Sequence, residues 1–171
     1  MTSVLKVDNI QNSSGTSALS IDSSGRVTRN VLPSFRIGLD ANQAITTSGS
    51  DITILWDDDD TTKNFIQGGM SLSSGIVTVP VAGVYQIHAN VRFDNVGSGH
   101  VTVNVKINNS TAGNEEIAAI DGDPPTSYQS IHLSDVYKLD ANDNIRVTIL
   151  SQSDTDWRVN SNSSFSGAMI G

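Results

Sequence analysis

The sequence predicts an all-β protein, a sandwich or barrel of short antiparallel strands. The composition is rich in Ser, Thr, Asn, Asp, Val and Ile and poor in Glu, Lys, Arg and Leu. That balance disfavours helix and suits strands joined by polar turns. Apolar and polar residues alternate with period two over several stretches, and Gly, Asn, Asp and Pro fill the loops between them. No helical crossover stands between the strands to suggest a parallel sheet.

A chain of 171 residues has room for one domain with a real core and a small appendage. Residues 1–30 read as the appendage. Short apolar runs, Val4, Leu5 and Val7, then Leu19 and Ile21, sit beside the turn sequences "NSSGTS" and "SSGR". So little apolar surface cannot form a core, so the segment is expected to dock on a partner or to entwine with copies of itself, a flexible tail being the alternative. Residues 31–171 form the main domain.

The clearest strand is "VYQIHANVRF". Tyr85, Ile87, Ala89, Val91 and Phe93 alternate there with Gln86, His88, Asn90 and Arg92, giving one buried and one wet face. The same pattern places Val101, Val103, Val105 and Ile107 on one face, and Ile145, Val147 and Ile149 on another. "SFRIGL", "DITILW", "GIVTVP", "EEIAAI", "SIHLSDVYKL" and "FSGAMI" complete a set of nine or so strands. Tyr85, apolar along its ring but with a hydroxyl that needs a partner, reads as a core tyrosine bonded to a backbone carbonyl. Pro80 stops strand pairing, and Gly83 is expected to supply a turn conformation closed to most residues.

The formal net charge of -8 argues against nucleic acid and anionic membrane surfaces as partners. With no cysteine there is no disulfide framework, thiolate metal site or thiol nucleophile. The start lacks the apolar run of a signal peptide, and no segment approaches the roughly 18 apolar residues of a membrane span. The expectation is a protein neither exported by a cleaved signal nor inserted in a membrane.

Four stretches carry a family resemblance. "GIVTVPVAGVYQI" resembles the C1q-like domain of the complement and TNF superfamily, with Gly75, Thr78, Pro80, Gly83 and Tyr85 on its pattern and Val77 and Ile87 where that pattern prefers aromatics. "SSFSGAMIG" is similar to the family's last strand, with Phe165, Ser166 and Gly167 matching. "LDANDNIRV" resembles a Leu-x-x-Gly-Asp segment, with Asn142 in the glycine position and Asp143 retained. "ILWDDDDTTKN" supplies Trp56, Asp57 and Asn64 at matching positions. The resemblance implies a ten-stranded jelly roll that assembles as a trimer, a binding module without a catalytic centre. Tyr85, Phe93, Phe165 and Gly167 are then core or trimer residues, Phe165 on the inner sheet near the threefold axis.

The leader "LKVDNIQNSSGTSALSIDSSGRV" is similar to leaders that precede varied C-terminal domains in structural proteins of tailed bacteriophages, marine ones especially; Ile10, Gln11, Asn12, Gly15, Leu19, Ile21, Asp22, Gly25 and Arg26 carry the likeness. It implies a virion part assembled in bacterial cytoplasm, with Val7, Ile10, Leu19 and Ile21 as anchor residues toward other virion proteins and the head directed at a host glycan or protein.

Chemistry is harder to find. Asp57, Asp58, Asp59 and Asp60 could offer oxygens to calcium, yet adjacent residues of an extended chain point to opposite sides, so a solvated loop is the simpler reading. Asp154 and Asp156 alternate, which puts two carboxylates on one face; like Asp121 and Asp123 they lack EF-hand spacing. There is no Gly-x-Ser-x-Gly and no His-Glu-x-x-His, and His88, His100 and His132 lie on separate strands or strand ends. Trp56 and Trp157 read as core or interface residues before sugar platforms. No catalytic residue is assigned. The reading is a homotrimeric phage appendage that binds a surface, with a purely structural virion clamp or a free recognition lectin as alternatives.

Overall fold

The computed structural model describes residues 7–29, 31–58, 60–94, 100–108, 115–122, 128–152 and 157–171. The chain divides into two compact units, Met1–Leu32 and Pro33–Gly171. Among the described residues no helix is long and apolar enough to cross a membrane.

The first unit is an antiparallel meander of β1 (Asn9–Gln11), β2 (Ser17–Ile21) and β3 (Val27–Arg29). Its two turns share one design. Asn12 Oδ1 accepts the backbone N–H groups of Ser14 and Thr16 at 3.0 and 2.9 Å. Ten residues later Asp22 Oδ1 accepts those of Ser24 and Arg26, both at 2.9 Å. Gly15 (φ 84°) and Gly25 (φ 76°) close the turns in the left-handed region that glycine enters without steric cost. The leader is thus two copies of one Asx-capped hairpin turn.

The second unit is a sandwich of two antiparallel sheets. One contains β4 (Ser34–Gly38), β5 (Gln43–Ala44), β7 (Phe65–Gln67), β10 (Gly83–Asp94), β13 (Tyr128–Leu139), β15 (Arg158–Val159) and β16 (Ser164–Met169). The other contains β6 (Asp51–Thr53), β8 (Ser71–Ser73), β9 (Ile76–Thr78), β11 (Val101–Ile107), β12 (Glu115–Gly122) and β14 (Asn144–Ser151). All nine expected strands are present. Short strands β5, β7, β8 and β15 join them, so the sandwich holds more than the ten the resemblance implied.

β10 organises the first sheet. Its whole length pairs with β13, while Tyr85–Asn90 pairs with β16 and Phe93–Asp94 with β15 on the opposite edge. The C-terminal strand β16 lies between β10 and β4, inside the sheet. The alternation read from "VYQIHANVRF" holds: Tyr85, Ile87, Ala89, Val91 and Phe93 are buried, and Gln86 and His88 exposed.

Between the sheets the aromatic rings pack edge to face and stacked. Phe35 meets Phe165 at 4.8 Å and 68°, Trp56 stacks on Phe165 at 5.9 Å and 27°, and Phe93 meets Trp157 at 5.5 Å and 84°. Such pairs add about 0.5–1.5 kcal/mol each beyond the area they bury.

"DITILW" is strand only over Asp51–Thr53, because the chain leaves one sheet for the other there. Ile54 N–H donates to Val147 in the six-stranded sheet, while Asp57 and Asp58 N–H groups donate to Gly38 in the seven-stranded one. The crossing carries Trp56 into the core, 2% exposed. Gln43 braces it, its side chain donating to the Thr53 carbonyl and accepting the Leu55 N–H.

Candidate functional site

The aspartate loop follows this crossing, and its carboxylates bond largely to the loop's own backbone. Asp57 Oδ1 accepts the Asp40 N–H at 3.0 Å, and Asp58 Oδ1 accepts the Asp60 N–H at 2.9 Å. Asp60 Oδ1 accepts both the N–H and the hydroxyl of Thr62, and its Oδ2 lies 3.2 Å from Lys63 Nζ. These bonds hold two carboxyls below their ordinary value of 3.8: Asp58 chiefly through the Asp60 N–H, Asp60 chiefly through the Thr62 hydroxyl.

Asn64 is structural. It is 7% exposed, donates to the Asp58 carbonyl and accepts from Arg36 Nη1 at 3.0 Å. Arg36 also donates to the Lys63 carbonyl at 3.1 Å, tying the loop to β4. Together Arg36, Gly38, Asp58, Lys63 and the turn Ser161–Ser163 line a polar depression. The sequence reading missed Arg36; its one signal was a cation on the polar side of the alternating strand "SFRIGL". Its partner stands 28 residues on and is visible only in the fold.

Asp59, Asp154 and Asp156, and the Asp123 of "DGDPPTS", lie outside the described residues. Among the described residues no group of three or more His, Asp or Glu side chains is placed to hold a metal. Asp57, Asp58 and Asp60 come together as a hydrogen-bonded loop.

Tyr85, Phe93 and Phe165 all point into the sandwich and are 0% exposed. The Tyr85 hydroxyl donates to the Val81 carbonyl at 2.9 Å, and burial raises its pKa. Gly167 also faces inward, toward Phe35. Trp56 and Trp157 are core residues as well. Gly83 corrects an expectation. Its φ is not left-handed; a Cβ there would lie 2.6 Å from Met169 Cε and 2.8 Å from the Gly171 carbonyl, so close packing, not turn conformation, calls for glycine.

The wet face of the seven-stranded sheet is polar and small-featured. β10 presents Gln86, His88, Asn90 and Arg92, and β16 presents Ser164 and Ser166. His88 and His132, on different strands as expected, share this face: His88 pairs with Ser134 and Asn90 with His132, so the imidazoles are diagonal neighbours. Arg92 lies 4.6 Å over the Tyr128 ring. A shallow depression of about 230 Å³ runs past Ser34, Arg36, Phe65, His88 and Ser166.

In the leader, Val7, Ile10, Leu19, Ile21 and Val27 with Asn9 line an apolar hollow. Ile10 is 49% and Val27 61% exposed, so the meander cannot bury this side by itself.

A match to the TNF (Tumour Necrosis Factor) family runs over residues 54–170, more than half of the chain. The chain belongs to the TNF family. TNF-family domains typically form homotrimers and are typically non-enzymatic. The match takes in the crossing at Ile54 and every strand from β7 to β16. It also contains the motif residues Gly75, Thr78, Pro80, Gly83 and Tyr85. Among curated proteins none matches the sequence.

Proposed function

We propose that this TNF-family protein is a non-enzymatic homotrimeric appendage of a bacteriophage virion, whose jelly roll binds a host or environmental surface. The observation that carries the reading is the pairing of a TNF-family head with a separate leader that cannot cover its own apolar side. Val7, Ile10, Leu19 and Ile21 are the anchor residues, toward other virion proteins or toward sister leaders. The phage setting rests on the likeness of the leader to those of tailed-phage structural proteins.

Three copies joined rigidly turn weak single-site contacts into useful attachment, with avidity gains on the order of a hundredfold or more. The wet face of the seven-stranded sheet is the proposed contact between copies. An acidic trimer is repelled by an anionic envelope, and calcium bridging at the aspartate loops would offset that repulsion.

Light scattering on the full chain and on a chain beginning at Val31 tests assembly. Trimers in both place assembly in the jelly roll and leave the leader for docking; a monomeric shorter chain transfers assembly to the leader. Labelled full-length protein should stain host cells and compete with infection. Intact trimers that do neither would make the protein a virion clamp.

A further inference from the structure

We infer that the wet face of the seven-stranded sheet is an acid-sensitive contact, in which protonation of His88 and His132 drives copies of the chain apart. The inference rests on the reading of that face as the contact between copies and adds its regulation. Strand register shows what lies at the middle of the face. Asn90 on β10 stands opposite Ser164 on β16 and His132 on β13, while His88 stands opposite Ser166 and Ser134. The two imidazoles are diagonal neighbours, roughly 7–8 Å apart along the sheet.

Around the pair are hydroxyls and amides, which do not titrate. Histidine is the side chain whose ordinary charge change falls between about pH 5 and 8. In that range the middle of the face therefore changes charge through His88 and His132 alone. Both are exposed, and neither has a hydrogen-bond or ion-pair partner among the described residues.

The fixed charges on the face decide what a proton does there. Arg36 on β4 stands opposite Ser166, Arg92 on β10 opposite Ser130, Lys138 on β13 opposite Val84, and Arg158 on β15 opposite Asp94. Arg36 is tied to Asn64 and Arg92 lies over the Tyr128 ring, so both cations stay on the face. Two carboxylates share it, each held by other groups. Asp94 Oδ2 accepts the side-chain amides of Asn42 and Asn160. Asp58 lies over Gly38, with Oδ2 3.0 Å from where a Cβ on that glycine would stand, and its Oδ1 accepts the Asp60 N–H. Asp60 and Lys63 pair with each other. Asp135 stands opposite the buried Ile87, on the other side of the sheet, and its carboxylate accepts the Val136 N–H at 2.7 Å. β5, β7 and β16 contain no ionisable side chain.

Each proton therefore adds positive charge to a face that already carries an excess of it. A homotrimer closed through this face brings two imidazoles from each copy, with their cationic neighbours, into one dehydrated contact. Like charge and lost water both disfavour the imidazolium there. Separated copies then bind more protons than assembled ones. Assembly is full above histidine's ordinary range and is lost as pH falls through it. The third histidine, His100, precedes β11 of the six-stranded sheet and serves as a control.

Sedimentation equilibrium on the full chain at about pH 7.5 and about pH 5.5 brackets that range and tests the switch. The variants are His88→Gln with His132→Gln, His88→Lys with His132→Lys, and His100→Gln. The native trimer should associate about tenfold or more weakly in acid, the effect of displacing one imidazole's titration by one unit. Glutamine hydrogen-bonds like a neutral imidazole without titrating, so the double glutamine variant should stay trimeric at both pH values. The double lysine variant, charged throughout, should be as weak at neutral pH as the native chain is in acid. His100→Gln should respond as the native chain does. A native trimer equally tight at both pH values overturns the switch and leaves the contact reading standing. A native chain that does not self-associate at neutral pH overturns both. An acid response that persists in the glutamine variant, or a lysine variant assembled as tightly as the native chain at neutral pH, overturns the roles of His88 and His132.

Discussion

Gly167 on β16 faces the ring of Phe35 on β4 so closely that a methyl group at its Cα would lie 2.7 Å from Phe35 Cε1. The glycine of the terminal motif is therefore the space into which a core ring fits. Gly167→Ala should cost about 1–3 kcal/mol, the usual penalty of overpacking. Thermal melts of Gly167→Ala alone and combined with Phe35→Leu check it: the second change should restore part of the loss, whereas an independent, additive loss would show that the ring is not what glycine accommodates.

Gly75 is more tightly constrained. Its φ is 76°, and a Cβ there would lie 2.1 Å from the Ile54 carbonyl oxygen, a backbone atom at the start of the crossing between sheets. Gly75→Ala combines backbone strain with a clash that no rotamer relieves, and should cost on the order of 3 kcal/mol or more. Urea unfolding at fixed chain concentration would measure it, and a loss smaller than that of Gly167→Ala would contradict the geometry.

Tyr85→Phe keeps the ring and removes the hydroxyl that donates to Val81 at 2.9 Å. The expected loss is about 1–2 kcal/mol, since the carbonyl at that turn forfeits its donor. A change indistinguishable from zero in the same unfolding assay would mean that water replaces the bond at no cost.

Asp58 and Asp60 have folded pKa values below 3.8. A lowered folded value stabilises fully above the unfolded value and is lost as pH falls through the folded one. Asp60→Asn should therefore lower the melting temperature at neutral pH, and the gap from the native chain should close as pH drops below 3.8. A gap that stays constant with pH would show that the charge of Asp60 does nothing for the loop.

The strands were legible because a sheet with one wet face imposes period two on its sequence, and "VYQIHANVRF" follows it without a break. Asn142 was legible too: its φ of 73° explains why a glycine pattern places it there. The role of Gly83 was misread, since the groups that crowd it, the Gly171 carbonyl and the Met169 side chain, come from the last residues of the chain. The aspartate run was legible as a loop, while its tie through Asn64 to Arg36 was not.

Sequence by itself determined the all-β class, the main strands and the membership signalled by Gly75, Thr78, Pro80 and Tyr85, because these depend on local periodicity, turn chemistry and short motifs. Tertiary structure alone decided what meets across the sheets. It set His88 beside His132 and seated Phe35 on Gly167. Those neighbours come from strands far apart in the chain, and their contacts depend on sheet order and register, which no local run of residues encodes.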